Sequence, residues 1–249
     1  MNNNIKYIAE IGVNHLGDEN KALRMVENCI RAGADAVTFQ IQPDDYYDGT
    51  KSFRNKLSDK FYSKLIDLVH SLDKEIGIAL TESDQVFKWL DMGVDFFKVL
   101  SMDIDNHELL KSIESTGKQM YISTGVASED EIKRLYQSYS NAWYVHTTLT
   151  KSSKDANISA LSTIRSIVGD RVGYGLHAPD PETIYFAVAY NASFIFFYVV
   201  ENDDDYYPDY EHSIQVDKLA AFLFKWRESK KWIGLGKKTK QNVPEWTLE

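Results

Sequence analysis

The chain has 249 residues, of which 43% are hydrophobic and 26% are charged, and its formal net charge is −9. These values predict one globular domain with a full core, and the negative charge disfavours nucleic acid as a partner, because phosphates would be repelled. The N-terminus lacks the apolar segment of a signal peptide, and no apolar run approaches the ~20 residues that span a membrane. The single cysteine, Cys29, cannot form an internal disulfide. We therefore expect a cytoplasmic protein with no membrane partner.

Short apolar runs alternate with amphipathic helical stretches along the chain. The predicted strands are residues 6–11, 36–40, 76–81, 96–100, 119–123, 142–146, 172–175 and 194–199. Their nearly continuous apolar character is typical of parallel strands that are buried on both faces. The predicted helices are residues 20–32, 58–72, 108–115, 128–136, 158–168, 181–190 and 216–227.

Strand–helix units joined by short connections predict an α/β fold, the closed (β/α)8 TIM barrel. A doubly wound open sheet would show the same alternation and stays an alternative at this point. Glycine marks several helix ends, as in residues 32–35 and 92–95, where it can supply a left-handed cap. No linker divides the chain, so we expect a single barrel domain over residues 1–236 and a polar surface tail over residues 237–249.

Polar side chains gather where the predicted strands end, and this edge is where barrel enzymes build their active sites. The N-terminal ends of the strands carry no comparable set. The candidate residues at the C-terminal ends are Glu10, Asn14, His15, Thr38, Gln40, Gln42, Thr81, Glu82, Lys98, Ser101, Asp103, Ser123, Thr124, His146, Thr147, Thr148, Tyr174, His177 and Tyr198.

Lys98 is the most informative of these residues, because it lies within an apolar strand where its side chain should be enclosed. A buried ammonium needs a negative partner. Three interpretations follow: an ion pair with Glu10 or Asp103, a clamp for a phosphate group, or a lysine that forms a Schiff base with a carbonyl. The turn at residues 123–125, Ser-Thr-Gly, offers hydroxyl and N–H groups to an anion, so together with Lys98 it favours a phosphorylated ligand.

Histidines and tyrosines add to the predicted mouth of the barrel. His15, His146 and His177 fall at strand ends, and their convergence with Glu10 would indicate a metal or acid–base site, whereas each alone would be a structural hydrogen bonder. Tyr206, Tyr207 and Tyr210 follow the acidic run 201–205. They would either form the floor of a sugar site or pack over the rim.

Several segments, in order, resemble the N-acetylneuraminate (sialic acid) synthase family. They are IAEIGVNHLG at residues 8–17, AGADAV with FQ at 32–40, FKVLSMD at 97–103, STGVA at 123–127, VGYGLH at 172–177 and Pro-Asp at 208–209. The matching family motifs are A-E-I-G-x-N-H-x-G, A-G-A-D-A-V-K-F-Q, F-K-I-A-S-G-E, S-T-G-M-A, V-G-Y-S-D-H and G-P-D. The resemblance covers roughly residues 8–227, and so many ordered segments make chance agreement improbable.

The resemblance implies that phosphoenolpyruvate condenses with an acylated amino-sugar aldehyde, which releases phosphate and makes a sugar acid for surface polysaccharides. It implies that Lys98, Ser101, Ser123 and Thr81 hold phosphoenolpyruvate. By the same carry-over Glu10, Asp103 and Asp209 lie near the sugar and the reacting centre, and His177 is a ligand of a divalent metal, Mn or Mg. The habit of the family implies a homodimer.

The sequence departs from the family at the site itself. The lysine of the family's V-K-F-Q segment is Thr38 here, the serine and aspartate of Y-S-D-H are Gly175 and Leu176, and the second metal histidine is Tyr198. These changes weaken the expectation of a metal and of a tight phosphate site, although Tyr198, Glu201 or His212 could take the place of the missing metal ligand. No segment resembles the family's C-terminal antifreeze-like domain, so we expect the barrel alone, and the sugar specificity is open.

Three hypotheses follow. The first is a divergent sugar-acid synthase that uses phosphoenolpyruvate with another aldehyde and with little or no metal dependence. The second is an aldolase or lyase that uses Lys98. The third is a non-catalytic homologue that binds a sugar or a partner enzyme, and it must explain the retained Glu10, Lys98, Ser101, Ser123 and His177.

Overall fold

Parallel strands close into a barrel in the computed structural model, which describes residues 5–47, 50, 55–202, 205–234 and 236. The strands are β1 (Lys6–Gly12), β2 (Ala36–Gln40), β3 (Glu75–Leu80), β4 (Phe96–Val99), β5 (Gln119–Ser123), β6 (Trp143–His146), β7 (Val172–Leu176), β8 (Phe194–Val200) and β9 (Ser213–Gln215). They pair in sequence order, and β1 also pairs with β8 in parallel. This last pairing closes the sheet, which confirms the predicted (β/α)8 barrel and rules out the open sheet. The predicted tail 237–249 lies outside the described residues.

Helices cover the outside of the barrel. Those of the described residues are α1 (Glu19–Ala32), α2 (Asp59–Ser71), α3 (Val86–Met92), α4 (His107–Ser115), α5 (Glu129–Ser138), α6 (Ala160–Val168), α7 (Thr183–Ala189) and α8 (Leu219–Trp232). The sequence pattern did not identify α3 or β9. β9 has only three residues, and α3 buries only Val86 and Trp89, which are too few apolar positions to mark a helical face. In the part of the chain that the structure describes, no helix has the length and apolar character needed to cross a bilayer.

Local sequence signals set the ends of several helices. The Ser128 hydroxyl accepts from the Glu131 N–H and the Glu131 carboxylate accepts from the Ser128 N–H, which forms a capping box at the start of α5. Gly33 and Gly93 end α1 and α3 with φ of 103° and 96°, in the left-handed region that favours glycine. These caps keep the helix-to-strand connections short.

Alternation along the strands separates the inside of the barrel from its outer core. The inward residues near the middle of the strands form one apolar layer, Ile8, Ala36, Phe96, Tyr121, Trp143, Val145, Phe194 and Phe196. Rings of this layer meet edge to face. The ring centroid of Tyr121 lies 5.2 Å from that of Phe196 and 4.9 Å from that of Phe194. These side chains therefore fill the middle of the barrel, and a ligand can enter only at the C-terminal mouth.

Candidate active site

A layer of polar side chains lies directly above the apolar layer. Two residues further along the same strands, and so on the same inward face, stand Glu10, Thr38, Lys98, Ser123, Thr147 and Tyr198. All six are buried. Each of these six strands thus contributes an apolar side chain to the lower layer and then a functional group to the upper one, and the functional groups converge at the mouth.

Lys98 and Glu10 form an ion pair within this layer. The Lys98 ammonium donates to Glu10 Oε1, and the two side chains are 4% and 5% exposed. The ammonium also lies 4.7 Å from the ring centroid of Phe196 and 5.9 Å from that of Tyr198. Of the two acidic partners that the sequence allowed, the structure selects Glu10 and not Asp103. Both charges have lost most of their water, so each depends strongly on the other.

Several polar atoms around the pair are buried without a hydrogen-bond partner among the described residues. They are Glu10 Oε2, Thr38 Oγ1, Thr81 Oγ1, Thr147 Oγ1 and His212 Nε2. Buried polar groups are normally paired, and a concentration of unpaired ones marks a place where another molecule completes the hydrogen bonding. The cluster coincides with the mouth of the barrel.

The turns after β4 and β5 are joined tightly on one side of the mouth. The Gly125 N–H donates to Ser101 Oγ at 3.0 Å. A methyl group at Gly125 would lie 2.8 Å from Ser101 Oγ and 3.0 Å from Thr147 Cγ2, so only glycine fits there. Ser101 accepts from a backbone N–H, and its own hydroxyl proton is therefore available to a ligand. We call Ser101, Ser123, Gly125 and Thr147 the hydroxyl side.

The opposite side of the mouth is aromatic. The imidazole of His177 stacks on that of His212, with ring centroids 4.8 Å apart and planes 14° apart. Tyr198 meets both rings edge-on, at 5.5 Å and 4.9 Å. His212 Nε2 lies 3.8 Å from the Asp209 carboxylate. We call Tyr198, His177, His212 and Asp209 the aromatic side.

Burial shifts the ionisable groups of the aromatic side toward their neutral forms. Burial raises the pKa of Asp209, the nearby Glu10 carboxylate adds to the rise and Lys98 opposes it, and together they bring this pKa to about 7. Burial lowers the pKa of His177 to about 3, helped by His212 and Lys98, and lowers the pKa of His212 to about 4. Both imidazoles are therefore neutral at pH 7, and Asp209 is partly protonated.

The residues at the mouth do not fit a divalent metal site. Among the described residues, no three His, Cys, Asp or Glu side chains are grouped so that they could hold a metal ion. Imidazole binds metals through lone pairs in the plane of its ring, at ~2.0–2.1 Å for zinc. The stacked planes of His177 and His212 keep those lone pairs in separate layers, so they cannot meet at one ion, and the position of the expected second histidine holds Tyr198.

Three of the predicted site residues point away from the mouth, because neighbours along a strand face opposite sides. The His146 Nε2 lies 3.1 Å from the Ala156 carbonyl oxygen, outside the barrel lumen. The Tyr174 hydroxyl donates to Thr183 Oγ1 at 3.3 Å, against α7. Thr124 Oγ1 donates to a backbone carbonyl of β6 at 3.0 Å. The structure brings none of these three side chains to the Lys98–Glu10 pair.

Other predicted residues lie in the loops above the strands. The Asn14 amide donates to the Val199 carbonyl at 3.0 Å and accepts from the Asp209 N–H at 3.4 Å, so Asn14 positions Asp209. His15 Nδ1 accepts from the Gly17 N–H at 2.9 Å, and burial lowers its pKa to about 4. Asp103 is partly buried after β4, and burial raises its pKa.

The candidate list omitted two positions that the structure places in the site. Gly125 was noted only as the end of the Ser-Thr-Gly turn, and the hydroxyl side depends on its lack of a side chain. The sequence offers His212 only as a replacement metal ligand, and no strand pattern predicts its place in the site, because it follows Asp209 by three residues in a 3₁₀ turn. Thr147 lies two residues after the inward Val145 and therefore faces the lumen, whereas its neighbour His146 faces outward.

A shallow pocket of about 370 Å³ lies at the rim, beside the aromatic side. Tyr206 and Tyr210 line it and are 74% and 54% exposed. Lys151 and Glu211 form an ion pair of 2.7 Å across it. Tyr207, in contrast, is buried and accepts from the Lys21 ammonium at 2.8 Å. Tyr207 thus packs over the rim, while Tyr206 and Tyr210 are accessible; residues 203–204 of the acidic run lie outside the described part of the chain.

Comparison with known proteins places the chain in a family. The profile of the NeuB family matches residues 42–238. The N-acetylneuraminate-9-phosphate synthase of Mus musculus is 27% identical over 95% of this chain and 73% of its own length. The N,N'-diacetyllegionaminic acid synthase of Campylobacter jejuni is 25% identical over 92% of this chain and 77% of its own length.

A solved structure agrees with this assignment. The crystal structure of N-acetylneuraminic acid synthetase from Leptospira borgpetersenii, in complex with citrate, superposes with a TM-score of 0.86 at 26% identity, over 96% of this chain and 88% of that one. The match of fold, sequence profile and ordered motifs confirms the resemblance to sialic acid synthases. The chain is a member of the NeuB family.

Proposed function

We propose that this protein is a divergent sugar-acid synthase that condenses phosphoenolpyruvate with a sugar aldehyde, forms a carbon–carbon bond and releases phosphate. The observation that carries the proposal is the buried ammonium of Lys98, a residue that is 3% exposed and lies in a polar layer next to the hydroxyl side. An ammonium with hydroxyl and N–H donors around it suits a compact, multiply charged anion.

The hydroxyl side would hold the phosphate and carboxylate groups of phosphoenolpyruvate. Ser101 can donate its hydroxyl proton, because its oxygen already accepts from Gly125. Thr147 Oγ1 is buried without a partner among the described residues and can donate as well. Thr38 stands where the family has a lysine, and a hydroxyl contributes less to anion binding than a second ammonium. We therefore expect weaker binding of phosphoenolpyruvate than a site with two lysines would give.

Glu10 and Asp209 would face the sugar aldehyde. Glu10 Oε2 has no hydrogen-bond partner among the described residues and can accept from a sugar hydroxyl. Asp209 is held by Asn14 through its backbone N–H, beside Tyr198 and the Lys98–Glu10 pair. The exposed rings of Tyr206 and Tyr210 at the rim are suited to the apolar face of a sugar ring.

The biological setting follows from the reaction. The names of the relatives refer to sialic and legionaminic acid synthases. We propose that the product is likewise a sugar acid for surface polysaccharide, made in the cytoplasm, where phosphoenolpyruvate is available. We also propose that the protein forms a homodimer, as the family resemblance implies.

The test is an assay of phosphate release from phosphoenolpyruvate with a panel of N-acetylated and free amino-hexoses, with the product identified by mass spectrometry. The proposal predicts aldehyde-dependent phosphate release and a product that carries the three pyruvate carbons. Borohydride treatment in the presence of a keto acid tests the lyase hypothesis, because a Schiff base on Lys98 would be trapped as a reduced adduct. Such an adduct, without phosphate release, would overturn the proposal.

A further inference from the structure

Tyr198 combines a fixed position with an uncommitted hydroxyl. It stands near the C-terminal end of β8, in the polar layer, and is 6% exposed. Within the described parts of the chain its hydroxyl has no hydrogen-bond partner, whereas its ring is confined on several sides. A methyl group at Gly12 would lie 3.2 Å from the ring, so the absence of a side chain there lets the ring approach β1.

The neighbours of Tyr198 hold the ring rigidly. The imidazoles of His177 and His212 lie at its edge, with centroids 5.5 Å and 4.9 Å away. The Lys98 ammonium lies 5.9 Å from its centroid on the side of the ion pair. A hydrogen-bond donor that is held in place before the reaction needs no reorganisation when charge develops next to it, and this preorganisation is the main source of electrostatic catalysis.

We infer that the Tyr198 hydroxyl, and not a divalent cation, polarises the carbonyl of the sugar aldehyde; this inference rests on the proposed function. The donor set at this end of the barrel does not fit a metal, because the His177 and His212 rings are stacked and Tyr198 provides a phenol. A phenol can donate a hydrogen bond to a carbonyl oxygen, which is what an electrophilic group must do in this reaction.

The chemistry balances with Tyr198 as a hydrogen-bond donor. The methylene carbon of phosphoenolpyruvate attacks the aldehyde carbon, and the carbonyl oxygen becomes an alkoxide that the Tyr198 hydroxyl stabilises. Water adds at the carbon that bears the phosphate, and the carbon–oxygen bond to phosphate then breaks. The water oxygen becomes the keto oxygen of the product, one water proton ends on the new hydroxyl, and the other ends on phosphate. Tyr198 is unchanged at the end of the cycle.

The experiment compares Tyr198→Phe with Tyr7→Phe in the full chain. Tyr7 is a matched control, because its hydroxyl is also buried without a partner among the described residues, yet its ring stacks on Trp226 outside the lumen. We expect Tyr198→Phe to lower kcat by about 100-fold, the effect of removing one preorganised donor. The KM for phosphoenolpyruvate and the thermal shift that it produces should not change, and Tyr7→Phe should keep the wild-type kcat.

The metal arm uses the wild type after dialysis against EDTA, with and without added Mn²⁺, and electron paramagnetic resonance of Mn²⁺ mixed with the protein. The inference predicts an unchanged rate and an undiminished signal of free Mn²⁺. It is overturned if Tyr198→Phe keeps the wild-type kcat, or if EDTA abolishes activity that Mn²⁺ restores with one ion bound per chain. A wild type that never consumes phosphoenolpyruvate would instead contradict the proposed function.

Discussion

The Lys98 ammonium donates to the Glu10 carboxylate across the lumen, which joins β4 to β1 at the level of the polar layer. Both partners are nearly inaccessible to water, and Glu10 Oε2 has no further partner among the described residues. The Glu10 carboxylate balances the charge of the ammonium in the free protein. The ammonium has three N–H donors, so an incoming phosphate or carboxylate can bind beside Glu10, but its negative charge competes with Glu10 for the positive charge of Lys98.

This competition gives the first prediction, on Glu10→Gln. The substitution leaves the Lys98 ammonium without its charged partner, and breaking a buried pair destabilises by about 3–5 kcal/mol. Phosphoenolpyruvate should bind more tightly to this variant, because its charge no longer competes with a carboxylate. Thermal melting with and without phosphoenolpyruvate should show a lower starting Tm and a larger gain on binding than in the wild type.

A matched control is Glu75→Gln, which removes the partner of Lys6 at the other end of the barrel. That pair is 2.5 Å long, and its side chains are 24% and 48% exposed. An exposed pair contributes less than about 1 kcal/mol. This variant should therefore keep both the starting Tm and the gain in Tm on phosphoenolpyruvate binding close to those of the wild type. Equal gains on phosphoenolpyruvate binding in Glu10→Gln and in the wild type would show that the anion does not contact Lys98.

The second prediction concerns pH and Asp209→Asn. Asp209 has a pKa of about 7 in the folded protein, against an ordinary value of 3.8. Between these values the folded state holds a proton that the unfolded state has lost, so this group makes the folded protein less stable as pH rises from about 4 to about 7. Asparagine removes that dependence. The free energy of unfolding of the wild type, minus that of Asp209→Asn, should therefore fall over this range.

The histidines act in the opposite direction. Burial lowers the pKa of His177 and His212, so the unfolded state binds the extra protons and stability rises as pH increases toward 6.5. Both proteins carry these residues, and their contribution largely cancels in the difference. Chemical denaturation of both proteins at pH 5 and at pH 8 gives the difference between their free energies of unfolding at each pH. A gap between wild type and variant that is constant with pH would contradict the raised pKa of Asp209.

The third prediction is that Gly125→Ala disrupts the hydroxyl side. The added methyl group would lie 2.8 Å from Ser101 Oγ, so either the turn or Ser101 must move. We expect a loss of stability of about 1–3 kcal/mol, the usual effect of overpacking, together with a higher KM for phosphoenolpyruvate. The measurements are thermal melting and steady-state kinetics.

The double variant Ser101→Ala with Gly125→Ala tests the stated contact. Removing Ser101 Oγ relieves the closest approach, so the two changes should destabilise by less than the sum of the single variants. Binding of phosphoenolpyruvate should stay weak, because the serine hydroxyl is gone. Strictly additive losses would show that the contact between Gly125 and Ser101 is not the cause.

The strands could be predicted because a strand that is buried on both faces is a nearly continuous apolar run in the sequence. β2 and β5 begin and end where the apolar runs do. Closure of the sheet could not be predicted from alternation, because it depends on the pairing of β1 with β8, which are remote in sequence. β9 is too short to show a period, and α3 buries too few side chains to mark a helical face.

The site was predicted less completely than the fold. Listing every polar residue near a strand end joined His146 and Tyr174, which face the helices, with Lys98 and Ser123, which face the lumen. Residues two apart on a strand share a face, and this rule removes the ambiguity. Lys98 faces inward because Phe96 does, and Thr147 faces inward because Val145 does. The stacking of His177 on His212 could not be foreseen, because it depends on the path of the loop after β8.

The most direct test of the account is the effect of phosphoenolpyruvate on the melting temperature of Lys98→Met, with Lys21→Met as the matched control. Lys21 is another buried lysine, and it contacts Asp205 and Tyr207 outside the polar layer. At about 100 times its Kd a ligand stabilises by about 2.7 kcal/mol, or about 5–10 °C for a chain of this size. We predict this gain for the wild type and Lys21→Met and none for Lys98→Met. An equal gain in Lys98→Met would contradict the role of the buried ammonium as the anchor of the anion.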